Sequence, residues 1–195
     1  LFRFIAAQAG LGAGEWLAVY GLGGVGLSAV MIGRALGARV IGIDVSEEKL
    51  AFAQGLGASH TLNATTVADL PEAIRDLTKG GAHVSVDALG SVATCRNSIL
   101  SLRRRGRHVQ LGLLLGDQAD PPLPMGRVIS FELRLYGSHG MQAQAYPAFL
   151  DLLARERVPL QSMIGRRISL AEAAPALANL ATSPGTGITV IDRFE

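Results

Sequence analysis

Gly21-Leu22-Gly23-Gly24-Val25-Gly26 is the stretch that decides the fold. The apolar run at residues 16–20 before it reads as a buried strand. Residues 27–36 after it read as an amphipathic helix. A G-x-G-x-x-G run between a strand and a helix has a mechanical content. Gly21 permits the tight turn out of the strand. Gly23 has no side chain to hold a pyrophosphate away from the backbone. Gly26 lets the helix pack close to the strand. The helix then presents unpaired N–H groups and the positive end of its dipole, which suit phosphate.

The next strand strengthens this reading. Residues 39–44 form an apolar run ending in Asp44, which lies 18 residues beyond Gly26. An acid about 20 residues beyond the glycines accepts hydrogen bonds from a ribose. A carboxylate there repels a 2′-phosphate, and neither Val45 nor Ser46 is an arginine that could hold one. Asp44 therefore favours NAD over NADP. The competing reading is that Asp44 only ends a strand and helps cap the following helix.

Strand and helix alternate through most of the chain. Strands are expected at 16–20, 39–44, 60–62, 84–88, 107–111 and 132–136. Helices are expected at 27–36, 47–56 (capped by Ser46 and ended by Gly57), 67–77 and 92–102. Residues 113–125, with Pro121, Pro122 and Pro124, read as a long loop. This rhythm predicts an α/β Rossmann fold, a doubly wound parallel six-stranded sheet in the order 3-2-1-4-5-6. A C-terminal helical tail follows: a helix at 142–155, a capping box Ser169-Leu-Ala-Glu172 opening a helix to about Ala181, and a last strand at 187–191.

Bulk properties exclude several classes. The chain has 195 residues, 49% of them hydrophobic, enough for one well-filled core. A net charge of +2 does not suggest nucleic-acid binding, and only two of its 18 basic residues, Lys49 and Lys79, are lysine. Cys95 is the single cysteine, which suits a reducing, cytoplasmic compartment. No apolar run approaches the ~20 residues of a membrane span. The first residues, Leu1-Phe-Arg-Phe-Ile, start as if within a helix, and the expectation is a piece of a longer protein.

Individual residues carry competing readings. Cys95 sits at helical spacing with Val92, Ile99 and Leu102 and reads as a core thiol in preference to a reactive one. His108 reads as packing on the sheet, and His139 as a turn residue with a role near nicotinamide as the alternative. Asp87 either bonds nearby backbone or touches the ligand edge. Arg103-Arg104-Arg105 reads as a helix C-terminus complementing the dipole, with a phosphate or nucleic-acid patch as the alternative.

With these residues placed, the chain resembles the coenzyme-binding half of the zinc-dependent alcohol dehydrogenases of the medium-chain dehydrogenase/reductase superfamily. The resemblance rests on Gly-Glu-Trp-Leu-Ala-Val (14–19), Gly-Leu-Gly-Gly-Val-Gly (21–26), Asp44 with Lys49, Gly-Ala-Ser-His (57–60), Asp-Ala-Leu-Gly-Ser (87–91), Arg-Gly-Arg-His-Val-Gln-Leu-Gly (105–112) and Gly-Ser-His-Gly (137–140). It implies that Gly23, Gly24 and Val25, within the loop Gly21, Leu22, Gly23, Gly24, Val25 and Gly26, line the pyrophosphate. Asp44 and Lys49 would hold the adenosine ribose, and Val45 would lie on the adenine. Ala88 and Leu89 would cover the cofactor, while Leu111, Gly112 and Leu113 would meet the nicotinamide.

The resemblance also implies hydride transfer between nicotinamide and an alcohol or carbonyl. It places zinc only in an N-terminal catalytic domain preceding Leu1, so no catalytic or metal residue is assigned here. The domains would be 1–137, a Rossmann NAD-binding unit with a linker helix at 1–10, and 138–195, a segment that packs on that catalytic domain. The sixth-strand edge implies a possible homo-oligomer. A zinc-free quinone or enoyl reductase using NADPH and a non-enzymatic nucleotide-binding module are the alternatives.

Overall fold

The computed structural model of the chain describes residues 9–180 and 185–195. The expected linker helix at 1–10 falls almost wholly outside them, as does the end of the helix expected at 169–181. Strands β1 (Trp16–Tyr20), β2 (Arg39–Asp44), β3 (His60–Asn63), β4 (Ala82–Asp87), β5 (Leu102–Gln110) and β6 (Arg134–Gly137) form one sheet in the order β3-β2-β1-β4-β5-β6. Every neighbouring pair in it is parallel. Helices α1 (Gly24–Ala35), α2 (Glu47–Leu56), α3 (Leu70–Thr78), α4 (Val92–Leu100) and α5 (Met125–Ser130) connect them. The strand order expected from the sequence is the one found.

A parallel sheet is covered on both faces, and β1 shows it. Leu17 and Val19 join one buried cluster with Leu27 and Val30 of α1. Ala18 and Tyr20 join a second with Ile74 and Ile99. Successive side chains of a strand point to opposite faces, so one strand feeds both cores. Cys95 is buried in the second cluster, as expected for a core thiol, and burial raises its pKa.

Caps set the helix starts. The Ser46 hydroxyl accepts from the Lys49 N–H at the head of α2, and Gly57 closes that helix in the left-handed region at φ 112°. Helix α3 starts at Leu70, later than the expected 67, because Asp69 caps it by accepting from the Glu72 N–H at 2.8 Å. Helix α1 starts at Gly24, three residues earlier than expected, because the glycine loop itself enters the helix.

Three expectations are corrected. First, α4 ends at Leu100, and Arg103, Arg104 and Arg105 lie in β5, not at a helix C-terminus. Ala82 pairs with Leu102 and Val84 with Arg107, so two steps along β4 match five along β5 and the arginines bulge out. Second, the tail holds a strand at 164–169 that was not expected, beside the last strand expected at 187–191. After α6 (Tyr146–Arg155), β7 (Ile164–Ser169) and β8 (Ile188–Arg193) pair in parallel as a separate two-stranded sheet. Third, Ser169 does not cap a helix: its N–H and hydroxyl both bond Glu172, and α7 (Ala173–Ala178) starts beyond that turn.

Gly26 fixes how α1 meets β1. A Cβ on Gly26 would stand 1.8 Å from the Gly21 carbonyl oxygen, a backbone atom that cannot move without shifting the turn. Overpacking of a rigid site costs up to ~3 kcal/mol. Gly26→Ala is expected to lower the unfolding free energy by about 3 kcal/mol in a denaturant titration; wild-type stability would contradict this packing.

Candidate functional site

Parallel strands bring their carboxyl ends to one edge, and four loops meet there. The loop after β1 carries Gly21 to Gly26. Its helix has Gly23 as N-cap with no side chain bonded to it. The first internal bond of α1 runs from the Leu27 N–H to the Gly23 carbonyl at 2.9 Å. The N–H groups of Gly24, Val25 and Gly26 are thus left without intrahelical acceptors, at the positive end of the dipole. A Cβ on Gly23 would touch nothing within 4 Å, so the space before these donors is open. The same loop is closed behind: a Cβ on Gly21 would lie 2.9 Å from the Leu89 Cβ.

Asp44 ends β2 beside this loop. One carboxylate oxygen accepts from the Leu22 N–H at 2.8 Å. The other accepts from the N–H groups of Val45 at 2.8 Å and Ser46 at 3.1 Å. Three backbone donors therefore hold the carboxylate in place, with lone pairs left over for a further donor. Val45 and Lys49 follow directly, Val45 before α2 and Lys49 in its first turn. Asp44 also orders the backbone leading into α2, as the competing reading held, while Ser46 supplies the helix cap.

Asp87 organises the other two loops. It is fully buried at the end of β4. Its Oδ1 accepts from the Leu89 and Gly90 N–H groups, each at 3.0 Å. Its Oδ2 accepts from Gln110 Nε2 at 2.9 Å. Its carbonyl accepts from the Leu111 and Gly112 N–H groups. One residue thus binds the loop carrying Ala88 and Leu89 to the loop carrying Leu111, Gly112 and Leu113. The two loops touch so closely that a Cβ on Gly112 would stand 2.1 Å from the Gly90 nitrogen.

The loops that carry the residues expected to meet a cofactor therefore gather at one edge of the sheet. Val45, Leu89 and Leu113 are 63%, 61% and 59% exposed there. These apolar side chains give the edge surfaces on which flat rings can lie, next to the N–H donors that suit a diphosphate.

A buried polar chain behind the site was not legible in the sequence. Gln110 Oε1 faces His108 Nε2 at 3.1 Å, and His108 Nδ1 faces Ser98 Oγ at 3.0 Å. With the Gln110 amide donating to Asp87, His108 carries its proton on Nε2 and accepts from Ser98. Burial pushes His108 below its ordinary value, against the opposing influence of Gln110 and Asp87. Also missed was the return of the tail. A Cβ on Gly24 would stand 3.1 Å from Ile188 Cγ2 of β8, and Met163 joins the core beside α1. No local pattern around residue 188 marks that contact.

The described residues do not fit a zinc ion, because no three His, Cys, Asp or Glu side chains among them converge. No helix among them is long and apolar enough to cross a membrane.

Comparison with known proteins agrees with this geometry. A family profile described as zinc-binding dehydrogenase matches residues 24–155. The chain belongs to that family. It is 32% identical over 145 residues to an alcohol dehydrogenase of Geobacillus stearothermophilus, covering 74% of this chain and 41% of that protein. It is 40% identical over 160 residues to geraniol dehydrogenase of Castellaniella defragrans, covering 80% and 43% respectively. Among solved structures, the alcohol dehydrogenase of Aeropyrum pernix superposes with a TM-score of 0.82 at 30% identity, over 97% of this chain and 54% of that one. The 2R,3R-butanediol dehydrogenase of Bacillus subtilis shares the fold, with a TM-score of 0.88 at 20% identity over 99% and 55%. The chain spans about half the length, or somewhat less, of the relatives it matches.

The buried imidazole makes stability depend on pH. Below its ordinary value of 6.5 His108 binds a proton when unfolded, and the folded protein resists that proton. His83, lowered first by burial and then by Arg103, adds in the same direction. Stability should be full above neutrality and decline as pH falls through about 6.5. Denaturant midpoints at about pH 7.5 and 5.5 should show the fall, and His108→Gln should reduce it.

Proposed function

We propose that this chain binds NAD(H) at the carboxyl edge of its sheet. We further propose that it serves an alcohol dehydrogenase-like oxidoreductase, in which hydride passes between nicotinamide and an alcohol or carbonyl. The observation that carries this reading is the Asp44 carboxylate, held by three backbone N–H groups next to the open face of the glycine loop. Family membership supports it.

Each part of the edge has a task. The N–H groups of Gly24, Val25 and Gly26 receive the diphosphate. Asp44, with Lys49 beside it, receives the adenosine ribose hydroxyls, and its charge disfavours a 2′-phosphate. Val45 lies against the adenine. Ala88 and Leu89 form the wall between the two halves of the dinucleotide. Leu111, Gly112 and Leu113 offer backbone groups and an apolar surface to the nicotinamide end. When bound, the cofactor supplies the hydride chemistry. The chain contributes orientation, because the loops that present the reactive ring are tied together through Asp87. In this reading zinc would be held outside residues 9–180 and 185–195, on a catalytic domain against which the 138–195 segment would pack, and would supply a Lewis acid for the reacting oxygen. The exposed β6 edge would serve a homo-oligomer.

Two substitutions separate the contributions. Gly23→Val should fold normally, because a Cβ there meets nothing, yet it fills the diphosphate position and should abolish NAD binding. Asp44→Ala should weaken NAD by on the order of tenfold and shrink the preference over NADP. Calorimetric titration with both nucleotides checks each; a Gly23→Val protein that binds as wild type would refute the site.

A further inference from the structure

The arginines that bulge from β5 build a second site at the opposite, amino-terminal edge of the sheet. A cavity of about 320 Å³ is lined by Glu15, His83, Arg103, Arg104, Arg105, Gly106, Arg107 and Arg134. Five guanidinium groups face it. Arg107 is committed to Glu15, which it binds through both carboxylate oxygens at 2.7 Å. Arg105 reaches Glu132 at 3.6 Å. Arg104 lies over the Phe131 ring and donates to the Ser130 carbonyl. Arg103 and Arg134 have no carboxylate partner among the described residues.

His83 makes the deficit specific. Its Nδ1 faces the Trp16 backbone N–H at 3.0 Å, and its Nε2 faces an Arg103 guanidinium nitrogen at 2.7 Å. Both neighbours are obligate donors. A neutral imidazole has one acceptor nitrogen and one N–H. With Nδ1 accepting from Trp16, Nε2 carries the proton and points it at another donor. Two N–H groups thus converge with no acceptor between them. Nearby, Arg134 stands beside Arg107 in the β5–β6 register. The bulge is fixed from behind, since a Cβ on Gly106 would stand 2.8 Å from the Arg103 carbonyl oxygen.

We propose that this cavity binds a small multivalent oxyanion of the phosphate type, received by His83 Nε2–H, Arg103 and Arg134. An oxyanion supplies the acceptor that His83 and Arg103 both lack, and a dianion offsets the two unpaired guanidinium charges. The size of the cavity suits a small molecule in preference to a polymer. The site is independent of the dinucleotide reading, because it lies at the other end of the strands.

The test is the NMR signal of the His83 ring, assigned by its loss in His83→Gln. Phosphate and pyrophosphate are titrated into the chain at constant ionic strength, with potassium chloride as the control. A saturable shift with the phosphates and none with chloride is expected. Arg134→Gln, an exposed change, should weaken binding by on the order of tenfold, with NAD binding unchanged. Arg103→Gln should weaken it similarly. No saturable shift by about 10 mM of either anion would overturn the proposal. So would an equal shift with chloride, an affinity unmoved by Arg134→Gln, or a response only to a long polyanion such as poly-glutamate.

Discussion

The contact between Gly26 and the Gly21 carbonyl oxygen is the constraint on which the site depends. The turn out of β1 and the first turn of α1 share a space that admits no side chain. That closeness aims the free N–H groups of the helix at the carboxyl edge of the sheet. It also sets Leu22 within reach of Asp44, so the carboxylate that ends β2 is bonded to the glycine loop itself. The helix N–H donors and the Asp44 carboxylate are therefore one rigid unit, positioned by backbone contacts and not by flexible side chains.

The second half of the edge is held by a different device. Asp87 is buried and satisfied by N–H groups from two loops and by the Gln110 amide. Leaving such a carboxylate unpaired costs several kcal/mol, so the loops are locked together wherever Asp87 is present. The polar chain continues inward through His108 to Ser98. Stability and site geometry are thereby linked through one set of hydrogen bonds.

Much of this was legible in the sequence because it is local. The glycine spacing, Asp44, the Ser46 cap and the Gly57 stop depend on neighbours within a few residues, and the strand order follows from the regular alternation of strand and helix. The failures are nonlocal. Arg103 to Arg105 look like cations ending a helix, yet β4 pairing draws them into a bulged strand. β7 reads poorly because Arg166 and Arg167 interrupt its apolar alternation, and its partner β8 lies some twenty residues away. Ser169 and Glu172 have the spacing of a capping box and do bond each other, but the helix begins only after them. The pairing of His83 with both Trp16 and Arg103 has no sequence signature, since it joins three separate strands.

The most direct measurement is an amide NMR titration of the chain with NAD. If the glycine loop and Asp44 grip the dinucleotide, the largest perturbations fall on the N–H signals of residues 22–26 and 44–46, with smaller ones at 88–90 and 111–113. An unperturbed glycine loop at saturating NAD, or changes confined to another part of the sheet, would contradict the account.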